Sequence, residues 1–220
     1  MSKLRVVSVT PIKLNNQRCP GKNIMPLGSK GKVLCQHLFD TLKDVKSLDD
    51  RYVFCSDEEI LKYMPSWMTF EKRDPVLDGN TIRGLQIIDA FVEAIDADIY
   101  VLCHVTAPFI KAETIQHAIE MMETGDYDSA FTAMAEADYA WYKGVPVNYD
   151  MKNIVQTQNL EPIYLEKGEV FIFRRDMYLR LRQRIGEKPY IQEISAFEAV
   201  DIDTREDFEF ARAIAAHLGK

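Results

Sequence analysis

The sequence predicts an α/β protein: a mostly parallel β-sheet sandwiched by helices. Segments rich in β-branched residues alternate with segments of helical periodicity along most of the chain, the pattern of strand–helix–strand units. One of these segments, "DIYVLCHVT" (98–106), is almost continuously apolar, as a central parallel strand covered on both faces must be. Residues 135–168 break the alternation. They carry a Trp/Tyr-rich turn, Gly144-Val145-Pro146 and several Asn and Gln, and read as a small excursion from the sheet. With 220 residues, 47% of them hydrophobic, the chain can bury a sizeable core, and 1–220 reads as a single domain.

The elements follow in order. "LRVVSVTPI" (4–12) is a buried first strand. Val33 to Leu42 forms a helix with Leu34, Leu38 and Leu42 on one face. "RYVFCS" (51–56) is the next strand, and Ser56 with Glu59 makes a capping box for a short helix beginning near Asp57. In "TIRGLQIIDAFVEAI", residues Ile82, Leu85, Ile88, Val92 and Ile95 recur three or four apart, which is amphipathic helix spacing. The central strand over 98–106 precedes a helix from about Ala112 to Glu123 and the strand "DSAFTAM" (128–134). After the excursion, "GEVFIFRR" (168–175) returns as a strand, and "AVDIDTREDFEFARAIAAHL" closes as a short strand turning into a helix.

Charge is unevenly distributed. The formal net charge is -7, yet residues 1–39 hold seven Lys and Arg (Lys3, Arg5, Lys13, Arg18, Lys22, Lys30, Lys32) and no acid; the first Asp or Glu is Asp40. A local basic stretch on an acidic chain implies a focused anion site. A polyanion binder would be basic overall, so a nucleic-acid surface is excluded. No apolar run approaches the roughly 18 residues a bilayer span needs, and no signal-peptide pattern opens the chain. The four cysteines, Cys19, Cys35, Cys55 and Cys103, are scattered and expected to be free thiols. A soluble cytoplasmic protein is the expectation.

In parallel α/β sheets, ligands sit beyond the carboxyl ends of the strands. The basic loop "NNQRCPGKNI" lies there after the first strand, and "DID" (Asp201, Ile202, Asp203) near the end of the last, so the two should meet. The loop is not a G-x-x-x-x-G-K-[ST] motif, but a Gly-containing turn can still aim backbone N–H groups at phosphate while Lys and Arg neutralise it. A solvated basic turn is the plain alternative. In "DID", period-two spacing places both carboxylates on one face, about 7 Å apart, where they can grip a hard cation such as Mg²⁺. Alternatively Asp203, or Thr204 with Asp207, merely caps the following helix. A phosphate loop plus a carboxylate pair is a minimal kit for nucleotidyl transfer.

Four weaker candidates have ordinary explanations too. His104, where a buried strand becomes a loop, can donate to a base or sugar oxygen or be a satisfied structural histidine. Cys19 lacks a partner His. Arg73 reads by default as a surface salt bridge, and Trp141 and Tyr142 as interface or core residues.

"TPIKLNNQRCPGKNI", "YVFCSDEEI", "KRDPVLDGNT", "LCHVTAPFI", "FIFRRD" and "EAVDIDTREDFEFA" stand in the order of the motifs of the acylneuraminate cytidylyltransferase family, which the chain resembles over nearly its whole length. The resemblance implies a Rossmann-like nucleotidyltransferase fold, a homodimer built partly by the 135–168 excursion, and bound Mg²⁺. It implies transfer of CMP from CTP to an acidic, sialic-acid-like 2-keto sugar with release of pyrophosphate.

It implies roles as well. Lys22 and Asp203 would be catalytic. Lys13 (usually Arg), Asn16 (usually Ser), Arg18, Lys22, Asn23 and Arg73 would bind the nucleotide, and Asp201 and Asp203 the metal. Thr106, with Pro108 in a T-x-P turn, and Gln158 would line the acceptor site. His104, Glu166 and Lys167 occupy further acceptor positions with altered residue types; Ile110 stands where the family often has Arg and Asn80 where it has Asp. Gln17 stands at the family's loop Lys, with Arg18 one position on restoring the charge. The nucleotide half is therefore kept and the acceptor half changed. A non-sugar acceptor, such as a phosphonate or alditol phosphate, and a non-catalytic nucleotide-binding relative are the alternatives.

Overall fold

The computed structural model describes residues 3–28 and 31–219; Lys30 of the basic stretch lies outside them. The elements run β1 (Val6–Ile12), α1 (Leu34–Asp44), β2 (Asp50–Cys55), β3 (Thr69–Lys72), α2 (Gly84–Ala94), β4 (Ile99–Cys103), α3 (Ala112–Glu123), β5 (Ser129–Glu136), β6 (Trp141–Tyr142), β7 (Val145–Pro146), β8 (Ile163–Arg174), α4 (Arg175–Leu181), β9 (Pro189–Glu193) and α5 (Arg205–His217). Seven strands form one sheet in the order β3-β2-β1-β4-β8-β5-β9. Every neighbouring pair is parallel except those of β8, which runs antiparallel to both β4 and β5. The predicted class, a mostly parallel sheet between helices, is the observed one.

Two apolar layers clamp the sheet. On one face, Leu38, Phe39 and Leu42 of α1 and Ile115, Ile119 and Met122 of α3 pack on Val53, Val101 and Ile172. On the other, Ile88, Phe91 and Val92 of α2 and Met177 and Tyr178 of α4 cover Val7, Val9, Tyr100, Leu102, Phe171 and Phe173. Phe91 anchors that layer with edge-on contacts to Tyr52, Phe54 and Tyr100 at centroid distances of 5.5, 5.4 and 6.1 Å. β4 is buried along its whole length, as its apolar run demanded.

A third, smaller cluster decides where the site forms. Phe208, Ala211, Ile214 and Ala215 of α5 pack with Leu27, Leu34, Phe109 and Ile202. This draws the segment before α5 against both the loop after β1 and the loop after β4.

Several expectations need correction. Residues 200–203 are irregular rather than a strand; β9 precedes them at the far sheet edge. Ser56 caps nothing: its hydroxyl bonds the Asp78 carboxylate, and Asp57 caps a short 3-10 turn (Glu58–Lys62) by accepting from the Glu59 N–H at 2.9 Å. Helix α2 spans less than the apolar spacing implied, so Ile82 and Ile95 fall outside it, and Leu85 in its first turn is exposed. The last central strand starts five residues earlier than read, because its amino half leaves the core to pair with the end of β5. Between β5 and β8 the chain leaves the sheet and makes the small β6–β7 hairpin.

Candidate functional site

The basic loop folds back on the Asp201–Asp203 segment as the sequence argument required. Gly21 adopts φ 71°, a left-handed conformation that costs glycine least, and starts a 3-10 turn over Lys22–Ile24. That turn sends the Lys22 side chain inward, 8% exposed, where its ammonium donates to the Ile202 carbonyl and stands 3.3 Å from Asp203 Oδ1. The Arg18 guanidinium reaches the same Asp203 oxygen at 2.8 Å from the solvent side. Lys13, Asn16, Gln17, Arg18, Cys19, Lys22 and Asp203 surround a cavity of about 270 Å³. Lys13 bridges it to the next loop by donating to the Asp78 carbonyl and, at 3.4 Å, to Asn80 Oδ1.

The capping question is settled by geometry. Thr204 and Asp207 form a reciprocal capping box at the start of α5, with the Thr204 hydroxyl 2.8 Å from Asp207 Oδ2 and the Asp207 N–H donating back at 3.2 Å. Asp203 contributes its backbone N–H to that carboxylate at 3.0 Å, and its side chain is left for the basic loop. Ile202 is fully buried and its N–H bonds the Thr106 carbonyl at 2.9 Å, which fixes the segment against the loop after β4. Asp201 accepts a hydrogen bond from the Thr106 side chain; burial chiefly, and the like charge of Asp203 in addition, push its carboxyl up.

Two predicted nucleotide residues stand behind the cavity. Asn23 is buried and its amide donates to the Lys13 carbonyl at 2.8 Å, tying the end of β1 to the turn. Arg73 is 2% exposed, so the surface salt bridge expected by default is a buried one. Its guanidinium pairs with Asp78 and donates to the carbonyls of Ile12 (2.9 Å) and Phe54 (3.4 Å). It clamps the carboxyl ends of β1 and β2 and, through Asp78, the Lys13 anchor. A guanidinium this rich in donors suits backbone carbonyls at strand ends.

The acceptor-side residues are more scattered. His104 follows β4, and burial with the nearby Arg184 charge lowers its pKa to about 4, so its imidazole is neutral near pH 7. Glu166 pairs with Arg184 at 3.1 Å, and both line a second cavity of about 390 Å³ with Arg83, Gln183 and Ile185. Pro108 and Ile110 are buried. Gln158 lies exposed on the turn Thr157–Asn159, donating to Gln156 at 2.6 Å. The Lys167 backbone carbonyl lies 3.3 Å from the Thr132 hydroxyl.

One residue here escaped the sequence reading: Glu169, 1% exposed in β8, with its carboxyl raised to about 7 by burial. A lone acid inside the apolar run "EVFIF" was the available signal.

A family described as cytidylyltransferase matches residues 10–217. The chain belongs to that family. This cytidylyltransferase-family chain is 24% identical over 222 residues to an N-acylneuraminate cytidylyltransferase of Streptococcus agalactiae, covering 93% of this chain and 52% of the relative. The chain thus spans about half the length of that curated relative. It is also 24% identical over 221 residues to a CMP-N,N'-diacetyllegionaminic acid synthase of Legionella pneumophila, covering 93% of this chain and 94% of that one. Among solved structures, a CMP:2-keto-3-deoxy-manno-octonic acid synthetase complexed with CTP superposes with a TM-score of 0.71 at 16% identity, over 97% of this chain and 99% of that one. The fold is that of a nucleotidyltransferase. No helix among the described residues is long and apolar enough to cross a membrane, and all four cysteines are free and buried.

Proposed function

We propose that this chain transfers CMP from CTP to a hydroxyl of an acidic, nonulosonate-type 2-keto sugar, releasing pyrophosphate, in the cytoplasm. The observation that supports it most is the convergence of Lys22 and Arg18 on Asp203 around the 270 Å³ cavity, in a chain of the cytidylyltransferase family. The triphosphate takes the place of Asp203 as the partner of these two cations, and Lys13 stands at the rim for its outer phosphates. In the reaction the acceptor oxygen bonds to the α-phosphorus in line as the bond to pyrophosphate breaks, and the hydroxyl proton passes to solvent. The protein's share is positioning and charge neutralisation.

Asp201 and Asp203 are the residues that would hold Mg²⁺. Both are hard oxygen donors, and beside the burial that chiefly raises the Asp201 carboxyl, the like charge of Asp203 adds a repulsion that a cation relieves. Among the described residues no group of three metal-ligating side chains forms, so water and phosphate oxygens would complete the shell. The ion, once bound, supplies positive charge where the phosphates develop negative charge.

The hairpin region supports a homodimer. Trp141, Tyr142, Val145, Val147 and Ile154 are 55–64% exposed there, apolar side chains that a second copy would cover. Pyrophosphate release from CTP and Mg²⁺ tests the reading across a panel: N-acetylneuraminate, 3-deoxy-manno-octulosonate, an alditol phosphate and no acceptor. Release that depends on a keto acid is the expected result. Release with the alditol phosphate alone, or with nothing, overturns the acceptor assignment.

A further inference from the structure

Buried polar atoms in folded proteins are nearly always hydrogen-bonded, so neighbouring exceptions at a candidate site call for a missing partner. His104 Nε2 and Glu169 Oε1 are both buried without one. They belong together. Cys103 pairs with Val170 in the antiparallel β4–β8 ladder, and the next step is the His104 N–H donating to the Glu169 carbonyl at 3.0 Å. Directly opposed residues raise their side chains on the same face, Cβ atoms about 5 Å apart.

A bulge puts Glu169 there. Between the pairs Phe131–Phe171 and Ala133–Glu166, β5 contributes one residue while β8 contributes Lys167 to Val170. Thr132 closes the bulge: its hydroxyl bonds Glu169 Oε2 at 3.0 Å and receives the Val170 N–H at 3.2 Å. One carboxyl oxygen is thereby tied down and the other left bare. The pair lines neither the 270 Å³ nor the 390 Å³ cavity, but charged groups of both act on it. Lys22 and Asp203, from the phosphate side, and Arg184, from the second cavity, all act on the His104 charge; Asp201 and Lys167 act on Glu169.

We propose that His104 and Glu169 form the floor that recognises the acceptor, with a hydroxyl or amine of the keto acid donating to Glu169 Oε1 beside His104 Nε2, so that Glu169 determines acceptor specificity. This rests on the reaction proposed above. A site built to hydrogen-bond a substrate donor rejects a ligand that leaves its polar groups unpaired, by 10²-fold or more. In the unliganded protein the bare oxygen is a defect, so an apolar side chain of similar size is tolerated by the fold and not by the acceptor.

The test is calorimetric titration of wild type, Glu169→Leu and Glu169→Gln, with three keto acids in the presence of a non-hydrolysable CTP analogue and Mg²⁺, and with the analogue alone. The acids are 3-deoxy-manno-octulosonate, its 8-amino-8-deoxy counterpart and N-acetylneuraminate. In the expected result, wild type binds at least one acid and Glu169→Leu weakens it about 10²-fold or more. CTP-analogue affinity stays within about threefold and the melting temperature is unchanged or higher. Glu169→Gln, which keeps shape and polarity, is the second variant should the first not fold, with a loss of about tenfold. A loss confined to the amino acid of the matched pair identifies an amine donor, and an equal loss on both a hydroxyl.

Unchanged acid affinity in the variants overturns the proposal. So does a parallel loss of CTP-analogue binding, or a lower melting temperature with acid binding intact, which is what a structural role predicts. A wild type that binds the analogue but none of the acids also overturns it, while leaving the nucleotide reading in place. Acid binding that depends on Glu169 in a protein that ignores the analogue keeps this inference and removes the nucleotide reading.

Discussion

The cations at one end of the site and the buried acid at the other are satisfied in opposite ways, although Asn16 Oδ1, Asn23 Oδ1 and Arg73 Nε on the nucleotide side are also buried without a partner. At the phosphate cavity the cations already have a protein partner: Lys22 and Arg18 share Asp203, and Lys13 is tied to Asp78 and Asn80. At the acceptor floor, His104 and Glu169 each keep a buried polar atom without a partner. The first arrangement is stable without ligand and is used by exchanging one anion for another. The second is a deficit that a ligand's own donor completes. A self-paired cluster tolerates a range of phosphates, whereas an unpaired buried group is selective, because the wrong ligand leaves its cost in place.

The largest effect that would break this contrast is at Lys22. Lys22→Ala removes the desolvated charge from the phosphate side and is expected to lower turnover on the order of 10²–10³-fold. Pyrophosphate release measured beside a melting curve checks it; near-wild-type release would take the loop out of the mechanism.

The next sharpens the other side. Glu169 has its carboxyl raised from 4.5 to about 7, chiefly by burial. In that window the folded protein holds a proton that the unfolded chain has released, so this group's contribution is full below 4.5 and is lost as pH rises through about 7. Glu169→Gln cannot ionise and should gain stability over wild type between those values, by at most about 3 kcal/mol. Denaturation midpoints at several pH values read this directly. A constant difference across pH would mean the carboxyl is not buried as described. His104, lowered to about 4, slopes the opposite way: its contribution is lost as pH falls through that value, a slope that wild type and Glu169→Gln share.

The smallest effect is at Asp203. Asp203→Asn keeps shape and leaves the Thr204–Asp207 box to cap α5, so it should melt close to wild type. Removing one negative charge should raise the Mg²⁺ needed for half-maximal activity on the order of tenfold. Lost stability with an unchanged metal requirement would return Asp203 to a structural role.

What the sequence disclosed follows the range of the forces involved. β1, β2, α1 and α3 are written in local apolar periodicity and were legible within a residue or two; β4 was legible too, but it ends three residues before the apolar run does. β3, α4 and β9 are short and partly exposed, so too little of their burial shows in a local pattern. Asp201–Asp203 was misread as a strand yet placed correctly against the basic loop. What brings it there is Ile202, seated among α5 and Phe109, and not sheet pairing. The inward turn of Arg73 was hidden because its carbonyl partners, Ile12 and Phe54, come from strands far away in the chain. Glu169 depends on a bulge, and a bulge is a mismatch between two strands that neither segment displays alone.

The seating of Ile202 under α5 also imposes an order of assembly during synthesis. A nascent chain that has emerged as far as β9 holds every strand of the large sheet, the basic loop and all three cations of the phosphate cavity. It does not yet hold Asp201 or Asp203, nor the α5 side chains that pack Leu27 of the loop after β1 with Phe109 of the loop after β4. Completion of the α5 segment therefore acts as a checkpoint. A ribosome-bound chain stopped at β9 should resist protease across its sheet while showing no divalent-dependent nucleotide retention, which should appear once residues 205–217 are released.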